Sequence, residues 1–284
     1  MSAGQRKLSK WAMHAILIVL SIVTLVPYGW LLIASLKNQD DFFSAIFLPP
    51  GDGVFGIGWD KLTLDNYQNL FGLGFGVNLV NSIFYSATTA LAATLICAAT
   101  GYVLAKHQFR GRNLITVVVL GALIVPPTLL LAPGYELLYD LGLLDTAWGL
   151  LLPLLAPAFG VFLFRQAVIQ SVPDELLEAA RIDGASEWSI FFIVVFPLVR
   201  PMIGAFMLIT FLGMWNNFIS PQIVLQTADK QPLSVAISQL RGVYKTDYGL
   251  LTAATVVSVL PVAALFLLLQ KQFISGLTSG AVKG

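Results

Sequence analysis

The chain is 284 residues long, 57% hydrophobic and only 11% charged, with a formal net charge of +1. A soluble domain carries about 25% charged residues, so this composition belongs in a bilayer and excludes an ordinary soluble fold. The net charge of +1 says nothing by itself about nucleic acid, but there is no basic block and no nucleic-acid partner is expected; the single Cys97 excludes an internal disulfide, and the isolated His14 and His107 lack metal-ligand spacing.

A membrane-crossing helix needs about 20 apolar residues. Stretches free of Asp, Glu, Lys and Arg lie between Lys10 and Lys37, and over 66–105, 113–135, 146–164, 201–228 and 248–270. They predict an all-α, polytopic transmembrane helical bundle of six spans, near 11–36, 78–104, 114–134, 147–167, 202–222 and 249–270. The first run follows Arg6, Lys7 and Lys10 and lasts 26 residues, which is too long for a signal-peptide core and reads as a retained span. With the N-terminus in the cytoplasm, eleven of the sixteen basic residues fall inside and five outside (Lys37, Lys61, Lys230, Arg241 and Lys245). An even number of spans then puts both termini inside. The chain divides into residues 1–76, holding the tail, first span and outer loop, and a five-span core at 77–284 with a cytoplasmic loop at 171–201.

Taken in order, the first outer loop runs from about Lys37 to Gly76. It is either a contact for something outside or a plain connector with an amphipathic piece near Leu64–Phe75. Asn81 opens the second span as a helix cap or a ligand. Pro126-Pro127 should bend the third span, because proline removes a helical hydrogen bond. In a membrane the freed carbonyl needs another partner, so the bend should face protein or a cavity. Pro153, Pro157 and Pro261 repeat the theme.

The loop at 171–201 holds the densest charges: Asp174, Glu175, Glu178, Arg181, Asp183 and Glu187. Ser171 with Asp174 fits a capping box, and Pro173 suits a first helical turn. Gly184 supplies a left-handed stop, and a second helix is expected from Ser186 to the Pro197 break. Leu176, Leu177 and Ala180 form an apolar strip at helical spacing, Ala179 and Ala180 allow close backbone approach, and Glu178 can pair with Arg181 or with a partner's cation. The fifth span carries Trp215-Asn216-Asn217. At about 1.5 Å per residue from Pro201, Asn216 lies roughly 22 Å along, in the outer half. That amide either contacts a hydroxylated solute or serves as an interhelical bond or helix end.

Glu178-Ala179-Ala180, three further residues, Gly184 and the later Pro197 resemble the EAA loop of ABC importer permeases. Val194 and Phe196 stand where that family sets Ile and Leu. The turn Gly101-Tyr102, Ala105-Lys106 and Phe109-Arg110-Gly111-Arg112 resembles the corresponding turn of carbohydrate permeases. The stretches 229–233, 244–249 and 276–284 are similar to the maltose-type inner-membrane subunit. The resemblance covers nearly the whole chain and is thinnest in the first outer loop. It implies a type I ABC importer permease fold in the bacterial cytoplasmic membrane. It also implies that Glu178, Ala179, Ala180, Arg181, Asp183 and Gly184 couple to one of two ATP-binding cassette subunits, which use ATP and Mg. A second permease subunit in a heterodimer and an extracytoplasmic solute-binding protein complete the implied assembly. The solute would be a sugar or oligosaccharide, with a polyol or glycerol phosphate as the alternative, and Asn216, Asn217, Trp215 and Asn81 are the substrate-path candidates.

The residues themselves contain no G-x-x-x-x-G-K-[ST] phosphate loop, nucleophile–base pair or metal cluster, so an enzyme is not expected. Two other classes remain beside the importer. A secondary transporter is disfavoured by spans without ionisable residues, and a non-transporting scaffold by the capped cytoplasmic loop.

Overall fold

The computed structural model describes residues 3–39, 41–242 and 246–281, with side chains described from Lys10 to Leu267. Asp40, the Tyr244-Lys245 pair and the Val282-Lys283-Gly284 tail lie outside the described residues. Two compact units divide the chain. One holds the residues up to Phe75 together with Ile237–Leu260, and the other holds Gly76–Ala236 together with the chain from Pro261.

The first unit begins with α1 (Ala3–Ala34), whose side chains from Lys10 through Leu25 are all exposed. A helix this uniformly apolar and uncovered is suited to lipid. The loop after it folds back through Lys37, which is almost fully buried and donates from Nζ to the Ala45 carbonyl at 2.6 Å. Burial pushes the Lys37 ammonium below its ordinary pKa. The amphipathic piece expected near Leu64 is α2 (Asp65–Gly72). Its buried Asn66 donates to the Ser35 and Lys37 carbonyls, both at 2.8 Å. Phe42 stacks on Tyr248 with ring centroids 5.3 Å apart.

The second unit is ordered by α3 (Phe75–Lys106), a continuous 32-residue helix. After it come α4 (Arg112–Ala122) and α5 (Leu131–Asp140), joined by a tight turn at Pro127–Leu130 and bent by 100°. The third span, expected near 114–134 with a bend at Pro126-Pro127, is thus two helices that meet at those prolines. Pro126 takes an extended ψ of 128°, as a residue before proline must, and the helix stops. The fourth span is α6 (Ala147–Leu151), a turn at Leu152–Leu154 and α7 (Ala158–Ser171), bent by 42° near Pro157. Then follow α8 (Asp174–Ile182), α9 (Glu187–Ser189), a π-helical turn at Ile190–Val195, α10 (Phe196–Leu198) and α11 (Arg200–Trp215), with a bend of 83° before α11. The fifth span ends at Trp215 rather than near 222, and α12 (Ile219–Val224) starts afresh. Next come α13 (Leu233–Gln239) and α14 (Tyr248–Ala281), which belong in part to each unit. Among the described residues three helices are long and apolar enough to cross a membrane, and counting each bent pair as one span gives up to six, the number expected.

The main core of the second unit packs Ala93, Cys97, Ala98 and Tyr102 of α3 against Phe164 and Val168 of α7, Phe191 and Val195 of the π turn, and Phe206 of α11. Small residues set the helix spacing. A Cβ on Gly101 would lie 2.6 Å from the Arg165 backbone nitrogen, and one on Gly160 would lie 2.4 Å from Phe206 Cζ. Such close approach is how helices gain packing where lipid supplies no hydrophobic driving force.

Candidate functional site

The charged hairpin is α8, the Gly184 turn and α9. The capping box expected from Ser171 and Asp174 does not form. Ser171 is the last residue of α7, Pro173 takes the N-cap position, and no side chain caps the helix. Asp174 and Glu175 in the first turn complement the positive end of the helix instead. The other end closes as expected. Gly184 has φ +80°, and the Ala185 and Gly184 amides donate to the Ala180 and Arg181 carbonyls, both at 3.0 Å. This is a Schellman closure, which glycine accepts without strain. Ser186 then caps α9 by accepting from the Ser189 amide at 3.2 Å.

Charges tie the hairpin to the last turn of α3. Lys106 Nζ donates to Asp174 Oδ1 at 2.6 Å. Glu187 accepts from Arg181 Nε at 2.8 Å and from the Tyr102 hydroxyl at 2.9 Å, with His107 Nε2 at 3.3 Å. Of the two partners open to Glu178, Arg181 is taken by Glu187 instead, because the Gly184 turn brings the start of α9 back beside α8. The Arg181 hydrogen bond, then the Tyr102 hydroxyl and the nearby positive charges, hold the Glu187 carboxyl below its ordinary pKa against partial burial. The apolar strip also divides. Leu177 is 1% exposed and packs into the unit's own core with Ala180 beside it, whereas Leu176 is 46% and Ile182 86% exposed. Glu178, Ala179, Asp183 and Gly184 are exposed as well. A polar cleft of about 440 Å³ lies beside them, lined by Lys106, Gln108, Asp174, Glu178 and Arg181 among others.

Trp215, Asn216 and Asn217 mark the end of α11. Trp215 is buried and stacks on Phe211 at 5.7 Å. Asn216 is the C-cap and turns its own amide back to the Leu212 carbonyl at 2.9 Å. Asn217 accepts from the Ser220 amide at 3.3 Å, which helps start α12. Of the three, Asn217 alone lines a second pocket of about 440 Å³, with Thr128, Tyr135, Ser220 and an apolar wall from Leu131 to Val224. The Pro127 bend forms part of the rim.

Asn81 is not brought to that pocket. It donates to the Asp229 and Gln231 carbonyls at 2.7 and 3.3 Å. Asn78 donates to the Ala228 and Gln231 carbonyls, and the Tyr85 hydroxyl to the Lys230 carbonyl. From the other side Asp145, in the left-handed region at φ +57°, accepts from the Gln226 and Thr227 amides, both at 2.9 Å, and from Lys230 Nζ at 2.7 Å. Lys230 and then Thr227 hold the Asp145 carboxyl far below the ordinary carboxylate range. Sequence reading missed this clamp and the Tyr102–Glu187 contact. The spacing of Asn78, Asn81 and Tyr85 on one helix face was the available signal for the clamp.

A bundle of long and broken apolar helices with a braced polar hairpin between two spans is the build of a multi-pass transport permease. Residues 98–279 match the family described as binding-protein-dependent transport system inner membrane component. The arabinooligosaccharides transport system permease protein AraQ of Bacillus subtilis (strain 168) is 35% identical over 283 residues, covering 96% of this chain and 95% of that protein. The diacetylchitobiose uptake system permease protein NgcG of Streptomyces coelicolor is 34% identical, covering 95% and 88%. A crystal structure of a bacterial ABC transporter that imports alginate superposes with a TM-score of 0.81 at 21% identity, covering 96% of this chain and 99% of that one. The chain belongs to the binding-protein-dependent inner-membrane component family of ABC importers. It is a multi-pass transmembrane transport subunit rather than an enzyme.

Proposed function

We propose that this chain lines half of the pathway of an ATP-driven importer for a neutral sugar or oligosaccharide, and that α8 seats an ATP-binding subunit. The observation that carries this reading is the free face of α8. Leu176, Ala179, Ile182 and Asp183 stand exposed on a helix about 14 Å long that is closed at one end by Gly184 and braced at the other by Lys106. An exposed apolar ridge of this kind on an anchored helix suits burial in a partner's groove. Glu178 remains available to that partner because Arg181 is committed to Glu187.

The reading includes two cassette subunits that hold ATP and Mg, since this sequence has no phosphate loop. It includes a second permease subunit for the other half of the path, an extracytoplasmic solute-binding protein, and both termini in the cytoplasm. Support for a neutral solute comes from the pocket beside Asn217. Its described lining offers the hydroxyls of Thr128, Tyr135 and Ser220 and one amide, with no Asp, Glu, Lys or Arg. Hydroxyls and amides match a sugar, whereas a glycerol phosphate would call for a cation. The names of AraQ and NgcG, which specify saccharides, agree with this choice.

Gly184→Val tests the docking. A Cβ there meets nothing within 4 Å, so the change acts only through backbone strain of about 1 kcal/mol and crowding of the outer face. The variant is expected to insert normally and to co-purify with little or no ATPase. Wild-type amounts of bound ATPase with normal uptake would reduce the hairpin to a connector.

A further inference from the structure

The last turn of α3 is gripped by both arms of the hairpin. Lys106, whose side chain is only 10% exposed, meets Asp174 in the first turn of α8. Tyr102, buried at 3% exposure, meets Glu187 at the start of α9 and stacks at 6.0 Å on Phe191 of the π turn. His107 adds a second contact to Glu187 and lies edge-on to Tyr102 at 5.1 Å. Arg181 closes the ring from α8 to Glu187. The α3 terminus is itself fixed, since Arg112 donates from Nε to the Leu104 carbonyl and from Nη2 to the Ala105 carbonyl, both at 3.0 Å. One carboxylate thus joins α8, α9 and α3.

We infer that Glu187 is a positioning residue that makes the hairpin and α3 a single rigid lever, so that a push on α8 moves the second span directly. Without this ring, Leu177 and the π-turn residues Ile190 and Phe191 would still seat the hairpin on the core, but Glu187 would no longer tie α8 and α9 to Tyr102 of α3, and the two arms could flex about the Gly184 turn. Exposed ion pairs are weak one by one, but a shared acceptor with a buried hydroxyl and a mostly buried ammonium nearby forms a network that resists such hinging. The inference rests on the reading that α8 receives the ATPase. It goes beyond that reading in naming the route that force takes into the membrane.

The test uses the full complex with its ATPase subunits and solute-binding protein in proteoliposomes. Spin labels on cysteines at Leu95 of α3 and Glu175 of α8 report the distance between the helices. In wild type a single distance should persist from the nucleotide-free to the ATP-trapped state. In Glu187→Ala the bound ATPase should stay at the wild-type level, the distance should spread when ATP is trapped, and solute carried per ATP should fall about fivefold, the order expected for one partly exposed charged network. Glu187→Gln, which keeps an acceptor for Tyr102, should recover part of the coupling. A wild-type distance that changes on ATP trapping would overturn the lever, and so would wild-type coupling in Glu187→Ala. Absence of bound ATPase from the wild-type complex would instead remove the docking reading, and the lever with it.

Discussion

Asp145 shows how a single side chain fixes a connection between spans. Its φ of +57° is costly for most residues, but Asp and Asn tolerate this region because their short polar side chains bond locally. Here the carboxylate bonds two amides, a hydroxyl and an ammonium of the 226–230 segment. Its pKa is depressed in the folded state, so its contribution is present above the ordinary carboxylate pKa and is lost only as pH falls through the lower folded value. The clamp should therefore hold across the whole range from about pH 8 to pH 5, well above the ordinary Asp value of about 3.9. Asp145→Asn keeps the tolerance for positive φ and removes the charge. Hydrogen-exchange protection of the Gln226 and Thr227 amides should stay constant over that range in wild type and fall in the variant. Equal protection in the two proteins would mean that Asn78, Asn81 and Tyr85 hold the segment without help.

Between elements, close packing of α3, α7 and α11 depends on glycines. A Cβ on Gly160 would meet Phe206 Cζ at 2.4 Å and Cys97 Sγ at 2.7 Å, so Gly160→Ala should destabilise by about 1–3 kcal/mol, the usual cost of overpacking. The obstacle at Gly160 is largely one ring, and Phe206→Leu in the same chain should return part of the loss. At Gly101 the obstacle is the Arg165 backbone, so Gly101→Ala should not be rescued by Phe206→Leu. Thermal unfolding of the four purified variants checks both statements, and equal rescue at the two sites would mean that the helices simply move apart. This level is also where the sequence became hard to read. The six spans were legible because an ionised side chain in hydrocarbon is costly, and the break at Pro126-Pro127 because proline cannot continue the ladder. The end of the fifth span at Asn216 was only half legible, since a helix end was one reading of that amide beside an interhelical bond or a solute contact, while the charge-free run carried the span on to 222. Gly184 announced its own turn. The partner of Arg181 depended on how that turn folds α9 back, and Tyr102 lies 85 positions from Glu187 in the chain.

Across the second unit, α3 has a polar cluster at each end. Asn78, Asn81 and Tyr85 hold the 228–231 carbonyls near its start, and Tyr102 and Lys106 hold the hairpin near its finish. From Asn81 to Lys106 a helix rises about 38 Å, more than the hydrocarbon thickness of about 30 Å, so one continuous helix is long enough to carry the two clusters to opposite faces of the membrane. The basic residues decide which face is which. Lys106, Arg110, Arg112 and Arg181 gather at the hairpin end, and eleven of the sixteen Lys and Arg fall on that side if six spans are counted. The hairpin end should therefore face the cytoplasm, where an ATPase can reach it. Single cysteines at Ala228 and Gln108, both exposed, test this within the one unit. The native Cys97 is fully buried and need not be removed. A membrane-impermeant maleimide should label Ala228→Cys in intact spheroplasts and Gln108→Cys only after the membrane is opened. The reverse pattern would invert the orientation. Labelling of both from one side would mean that α3 does not cross, and the count of six spans would fall with it.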